Sequence, residues 1–239
     1  MDEITWKVKQ NYLYKNDLML VDFIASNNWE RPVYFTSPAA IEKVLDVDDY
    51  CHLEGVVYRF LPVKAPHLIK GLGGIDTEET FDLLVNKAKW GNLEEPGVYV
   101  DPESRRNSIM PKQNYLRLAQ ALVDENKPEK AVETLDAMRK FFPNDKIPWD
   151  IYVIPMVETY YDAEAFEKGN EASDVISDRY TDDLRYYASL DNNLKKHYQQ
   201  DIQQALMVLQ QMSLLANRAK QTDQAAKIDE KLDELMTYF

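Results

Sequence analysis

Apolar and polar positions change rhythm along this chain. Up to about Met110 the pattern is short-ranged and mixed. "ITWKVK" alternates and predicts a short strand. "DLMLVDFIASNN" sets Leu18, Val21, Ile24 and Ala25 on one face behind Asp17 as N-cap, and predicts a helix that Asn27 and Asn28 can end. Pro32 disfavours helix at Arg31 and sends "PVYFTS" into an extended run, Val33 and Phe35 facing one side and Tyr34 the other. "SPAAIEKVL" reads as a short helix capped by Ser37, with Pro38 at its first position. "GVVYRFLPVK" reads as a strand whose Pro62 marks an end or an edge. "DTEETFDLLVNKAKW" reads as a capped amphipathic helix from about Asp76. Residues 1–110 therefore predict a small α+β subdomain.

From about Pro111 the period is helical throughout. In "QNYLRLAQALVDENKPEKAVETLDAMRKFFPND", Tyr115, Leu118, Ala119 and Leu122 are followed by a break at Glu125–Pro128, then by Ala131, Leu135 and Pro143. Aromatic, large and small residues fall in the slots of a tetratricopeptide hairpin, where small residues let two helices approach closely. A second copy is expected around "KGNEA", with Ala172 in the place of Ala131. A third runs through Leu209, Met212, Ser213, Ala216, Ala225 and Leu232. About three stacked hairpins are needed to bury such faces. The expected fold is mainly α, a tetratricopeptide-like helical hairpin stack over residues 111–239, preceded by the small α+β subdomain.

Charge narrows the partners. The chain carries 28 Lys and Arg against 41 Asp and Glu, a net charge of −13, which speaks against nucleic acid and against attraction to an anionic membrane by charge alone. One cysteine, Cys51, excludes an internal disulfide. No apolar run is long enough to span a bilayer, and "MDEITWKVKQ" lacks the features of a signal peptide. These features fit a cytoplasmic protein, or a soluble piece of a larger one.

"YKNDLMLVDFIASNNWERPVYF", then "DYCHLEGVVYRFLPVK", then the helical tail, resembles the C-terminal soluble region of a bacterial multi-pass membrane-protein family of unknown function. That family is related to protein O-mannosyltransferases of the glycosyltransferase-C type. The resemblance implies many membrane helices ahead of a soluble tail on the periplasmic side of the inner membrane. It implies contact with the membrane only through that missing part. The catalytic acid of such an enzyme would lie in the membrane portion, so no residue here inherits a catalytic role.

Candidate chemistry is sparse. Trp29, Glu30, Arg31 and Tyr34, in "NNWERPVYF", could form a ligand platform, and with Tyr58 a carbohydrate-binding surface, since aromatic rings stack on sugars and arginine fixes acids. The favoured alternative is a helix-to-strand joint with Trp29 largely buried and Arg31 paired to Glu54. "DVDDYCHLE" gathers Asp46, Asp48, Asp49, Cys51, His52 and Glu54 without a metal-ligand spacing, and is expected to be an acidic loop. Gly71–Gly74 ("GLGG") is expected to be a flexible loop. His67 and His197 stand alone, and no nucleophile motif appears. No catalytic residue, cofactor or metal is expected. From Glu158 to Asp191 ten acids face three bases among several tyrosines, which predicts a solvated acidic face or, more sharply, a groove for a basic or extended peptide. In a hairpin stack such a groove is lined by the first helices, here by Gln113, Leu116, Gln120, Val123, Val157, Tyr161 and Glu164. The expected partner is a protein or acceptor polypeptide, with a glycan as the alternative.

Overall fold

In the computed structural model, which describes residues 11–37 and 47–239, the chain divides into two units, Met1–Trp90 and Gly91–Phe239. The division precedes the first helix of the helical part, whereas the rhythm of the sequence changes near residue 110. The strand expected at "ITWKVK" and the helix expected at "SPAAIEKVL", Ser37 apart, lie outside the described residues.

The first unit opens with helix α1, Lys15–Asn27. Asp17 is not the N-cap. It is the third helical residue, and its carboxylate reaches back to the Tyr14 N–H (2.8 Å) and to Asn16 Nδ2 (2.9 Å), which satisfies an otherwise orphan donor of the first turn. The expected apolar face is only partly covered: Leu18, Met19, Phe23 and Ala25 are exposed, Val21 and Ile24 half-buried.

Strands β1 (Val33–Phe35), β2 (Cys51–Glu54), β3 (Val57–Phe60) and β4 (Gly74–Ile75) form one sheet in the order β1-β3-β2-β4. The segment expected as an acidic loop thus supplies a strand in the middle of the sheet. Its tight turn at Gly55 (φ +66°) allows β2 and β3 to pair antiparallel. Alternation splits the sheet as the pattern predicts. Val33, Phe35, Cys51, Leu53, Tyr58 and Phe60 share the apolar face, and Tyr34, His52, Glu54 and Arg59 share the other. Helix α2, Thr77–Phe81, is N-capped by Asp76 through the Glu79 N–H (3.0 Å). Thr80 ties it to the sheet by donating to the Leu53 carbonyl (2.7 Å). The helix continues as a π-helical stretch, Asp82–Lys87, not as an amphipathic α-helix reaching Trp90.

The second unit, from Pro102 on, is built of helices and their connectors. Asp101 caps α3, Pro102–Asn107, which runs into α4, Ile109–Asp124. Then follow α5 (Pro128–Phe141), α6 (Ile154–Asp162), α7 (Phe166–Ser189), α8 (Asn192–His197), α9 (Gln199–Arg218) and α10 (Thr222–Met236). Helices α4 and α5, α6 and α7, and α9 and α10 pair across connectors too short for anything but antiparallel hairpins. Each pair also touches the next. The three connectors are one structure written in three sequences. Asn126, Glu164 and Lys220 each adopt a left-handed conformation (φ 58°, 58° and 59°). The residue after each donates its N–H to the carbonyls of Leu122, Tyr160 and Ala216, all at 2.8 Å, which closes a Schellman-type stop.

That register corrects the sequence alignment. The helical N–H that bonds back to the residue after the left-handed one belongs to Ala131, Gly169 and Ala225. Gly169, not Ala172, stands in the place of Ala131. A Cβ at Gly169 would come within 2.5 Å of Tyr161 Cε1, so the site demands an even smaller residue than alanine. Helix α10 buries Gln224, Ala225, Ile228, Leu232 and Leu235, and its other face is largely polar. The chain is mainly α with a small α+β unit.

Candidate functional site

The two units carry different surfaces, and each is described by itself. In the first, the stretch "NNWERPVYF" is a hydrogen-bonded joint. Asn27 Nδ2 donates to the Arg31 carbonyl (2.8 Å), the Glu30 N–H donates to the Asn27 carbonyl (2.9 Å), and Asn28 and Trp29 are both left-handed. Two details of the expectation fail. Trp29 is 44% exposed, not largely buried, although its ring stacks on Phe60 (5.6 Å between centroids, 26°). The ion partner of Glu54 is Arg59 (3.3 Å), not Arg31, which is exposed. Strand order explains this. Arg31 precedes β1, and β3 lies between β1 and β2, so Arg59 is the adjacent arginine. The long side chain of Tyr34 does cross from β1, its hydroxyl lying 3.4 Å from Glu54 Oε2.

The aromatic platform is divided. Tyr58 is 2% exposed and belongs to the apolar face, as does Phe60 under Trp29, while Tyr34 lies on the opposite face. Trp29, Tyr34 and Tyr58 therefore present no common ring surface. Asp48, His52 and Cys51 are engaged in holding the fold. Asp48 accepts the Gly71 N–H (2.8 Å), His52 Nε2 lies 2.9 Å from the Val63 carbonyl, and Cys51 is fully buried. Burial, and then the Asp48 charge, push the Cys51 thiol up to about 12. Among the described residues no group of three or more His, Cys, Asp or Glu is placed to hold a metal.

In the second unit the acidic run divides into two uses. One is internal. Asp174 receives Gln224 Nε2 (2.9 Å) and Lys227 Nζ (2.8 Å), and Asp178 receives Lys231 (2.5 Å), all between α7 and α10. One hairpin earlier, Asp136 receives Lys168 (2.5 Å) and the Tyr160 hydroxyl (2.8 Å), and Arg139 reaches Glu171 (2.6 Å). Counted from the left-handed turn residues, Asp136 and Asp174 occupy one position, and Lys168 and Gln224 another. The same contact is thus made twice, once as an ion pair and once as a hydrogen bond.

The other use faces outward on the first helices. Gln120 and Asp124 on α4, Glu158 and Asp162 on α6, and Leu214 and Arg218 on α9 are equivalent positions in the three hairpins. Gln120 accepts the Thr159 hydroxyl (3.3 Å) and donates to Asp124 (3.2 Å), while Arg218 binds Glu158 (2.7 Å) and Asp162 (3.5 Å). Beside this stripe lies a hollow of about 360 Å³ lined by Tyr161, Asp162, Glu164, Phe166, Leu215 and Arg218, among others. Its floor is aromatic, with Tyr161 and Phe166 6.4 Å apart. Burial raises the Asp162 pKa against the opposing pull of Arg218.

Of the residues expected to line a groove, Tyr161 and Glu164 line this hollow and Gln120 lies on the stripe. Gln113 is tied to the Tyr152 carbonyl (2.8 Å). Val123 is half-buried, and Leu116 and Val157 are buried between helices. Helical phase in the sequence could not separate these inward positions from outward ones without the turn register. Asp162, Phe166 and Arg218 were missed. So was Lys112, a lysine only 2% exposed on α4, whose pKa burial depresses against the charge of Asp150.

The fold and the stripe define a class: a stacked helical-hairpin unit with an outward, mostly polar stripe on its first helices, joined to a small α+β unit. Residues 1–79 match the family model of TMEM260-associated domain 2. This match, which covers the first unit up to Glu79, fits a domain of a TMEM260-like membrane protein. No curated protein and no solved structure matches the chain. Among the described residues no helix is long and apolar enough to cross a membrane.

Proposed function

We propose that this chain is a non-catalytic interaction module of a TMEM260-like membrane protein, and that its hairpin unit binds an extended polypeptide along the first helices. The observation that carries this reading is the stripe of equivalent positions Gln120 and Asp124, Glu158 and Asp162, Leu214 and Arg218, beside the hollow floored by Tyr161 and Phe166. A tetratricopeptide-like array uses such first-helix surfaces for peptides. In this reading Arg218 holds the place between Glu158 and Asp162 that a ligand lysine or arginine could take in turn, and the hollow accepts an apolar or aromatic neighbour. In this reading the parent is a glycosyltransferase-like membrane protein, related to O-mannosyltransferases. The module stands on the periplasmic side and presents an acceptor polypeptide to the membrane part. Selection of a peptide library on the intact chain tests the binding surface. Basic peptides that lose affinity when Glu158 and Asp162 are both changed to lysine support it. A chain that binds glycans through Trp29 and selects no peptide refutes it.

A further inference from the structure

In a chain with 41 acids, the stretch from Pro62 to Ile75, "PVKAPHLIKGLGGI", has none, and it carries Lys64, His67 and Lys70. It also exposes large aliphatic side chains: Val63 (59%), Leu68 (42%), Ile69 (46%) and Leu72 (41%). A flexible glycine loop could fold such side chains inward, and flexibility is what the "GLGG" sequence suggests. The structure corrects this. Ile69 and Gly73 form a bridge, the Leu72 N–H donates to the Ile69 carbonyl (2.9 Å), and the Ile75 N–H donates to the Pro66 carbonyl (3.0 Å). The buried Asp48 carboxylate holds the Gly71 N–H. The loop base is closed so tightly that a Cβ at Gly74 would lie 2.1 Å from the Pro66 carbonyl oxygen, and one at Gly73 2.6 Å from that of Cys51. Backbone bonds, two glycines and a buried acid hold a loop whose aliphatic side chains face water, and a soluble protein gains nothing from that alone.

We propose that residues 63–72 form a membrane-docking loop that sets Leu68, Ile69 and Leu72 into the interfacial region of a phospholipid bilayer, with Lys70 and Lys64 beside the lipid phosphates. Charge complementarity selects this occupant. The loop itself carries no acid, so its lysines can approach lipid phosphates although the chain as a whole is acidic, and aliphatic side chains flanked by lysines suit the boundary between acyl chains and headgroups. Lys64 already pairs with the exposed Asp49 (3.1 Å), so Lys70 is the main phosphate contact. The inference goes beyond the peptide-binding reading and does not rest on it, because the loop belongs to the first unit.

Cys51 makes the test clean. It is the only cysteine, it is fully buried, and its thiol is pushed up to about 12. The intact chain with Leu68→Cys therefore has one reactive thiol, which takes an environment-sensitive fluorophore. With vesicles of phosphatidylcholine and a minority of phosphatidylserine, the expected result is a blue-shifted emission dimmed by a bilayer-resident quencher. A label at Asp223→Cys, exposed on α10, is expected to keep its emission in water. Vesicle flotation is expected to weaken about tenfold or more in Ile69→Ser/Leu72→Ser and in Lys70→Glu, with Cys51 still unreactive as proof that the first unit is folded. No response at position 68, an equal response at both label sites, or undiminished flotation of the folded variants overturns the proposal. A loop that serves a protein partner gives the first of these results.

Discussion

Cys51 and Gly169 show how single residues are fixed by what surrounds them. Cys51 has zero exposure beside Asp48, so its thiolate is disfavoured twice. Native protein at pH 8 is expected to leave it unmodified by thiol reagents, and modification is expected only after denaturant opens the first unit; rapid labelling of the native chain would contradict its placement. Gly169 is a helical glycine, and an ordinary exposed one replaced by alanine gains about 1 kcal/mol of helix propensity. Here the new methyl meets the Tyr161 ring, which is itself held by Asn170 (2.8 Å), and overpacking costs about 1–3 kcal/mol. Gly169→Ala is therefore expected to lower stability by up to about 2 kcal/mol in urea titration, where a gain would show that the ring yields freely. The sequence did not disclose Gly169, because Ala172 nearby offers the same small size three residues later, and only the turn register separates the two.

At the scale of elements, the hairpins were legible because their signal is redundant. Tyr115, Leu118, Ala119, Leu122, Ala131 and Leu135 are all fully buried, as their helical spacing requires, and the break expected at Glu125–Pro128 contains the left-handed turn at Asn126. Ala131→Trp is expected to cost about 1–3 kcal/mol through overpacking between α4 and α5. An unchanged melting midpoint would remove Ala131 from that interface. Strand alternation was equally legible at Val33, Tyr34 and Phe35. The strand order was not, since two to four residues per strand carry no signal of which neighbour they choose. Hence the arginine on Glu54 was misassigned. The candidate site was half legible: Tyr161, Glu164 and Gln120 came from the first-helix pattern, whereas Asp162, Phe166 and Arg218 depend on which hairpins stack.

At the scale of the molecule, the helical unit concentrates tyrosines in its interior, and this sets its alkaline limit. Burial, with Asp174 adding to it, raises Tyr161 to about 12, and burial raises Tyr160 further. Both groups favour the neutral phenol in the folded state, so their contribution is fully present below the unfolded tyrosine value near 10. It is lost as pH rises from there through about 12. The melting temperature is expected to decline across that window. Tyr161→Phe is expected to make the decline shallower while lowering the plateau at pH 7 through loss of the Asn170 hydrogen bond. A midpoint that holds flat to pH 12 would contradict the buried positions of these rings.

The central claim is that the first helices of the hairpin unit receive a polypeptide. Its most direct measurement is the affinity of peptides selected from a random library on the intact chain, taken again on Glu158→Lys/Asp162→Lys. Both are partly exposed carboxylates bound to Arg218, with side chains 34% and 35% exposed, and neither belongs to the apolar core. The account predicts selected peptides rich in lysine or arginine with an apolar or aromatic neighbour, and affinity for the variant at least about tenfold lower. Equal affinity for both chains, or a failure to select any peptide, would contradict it.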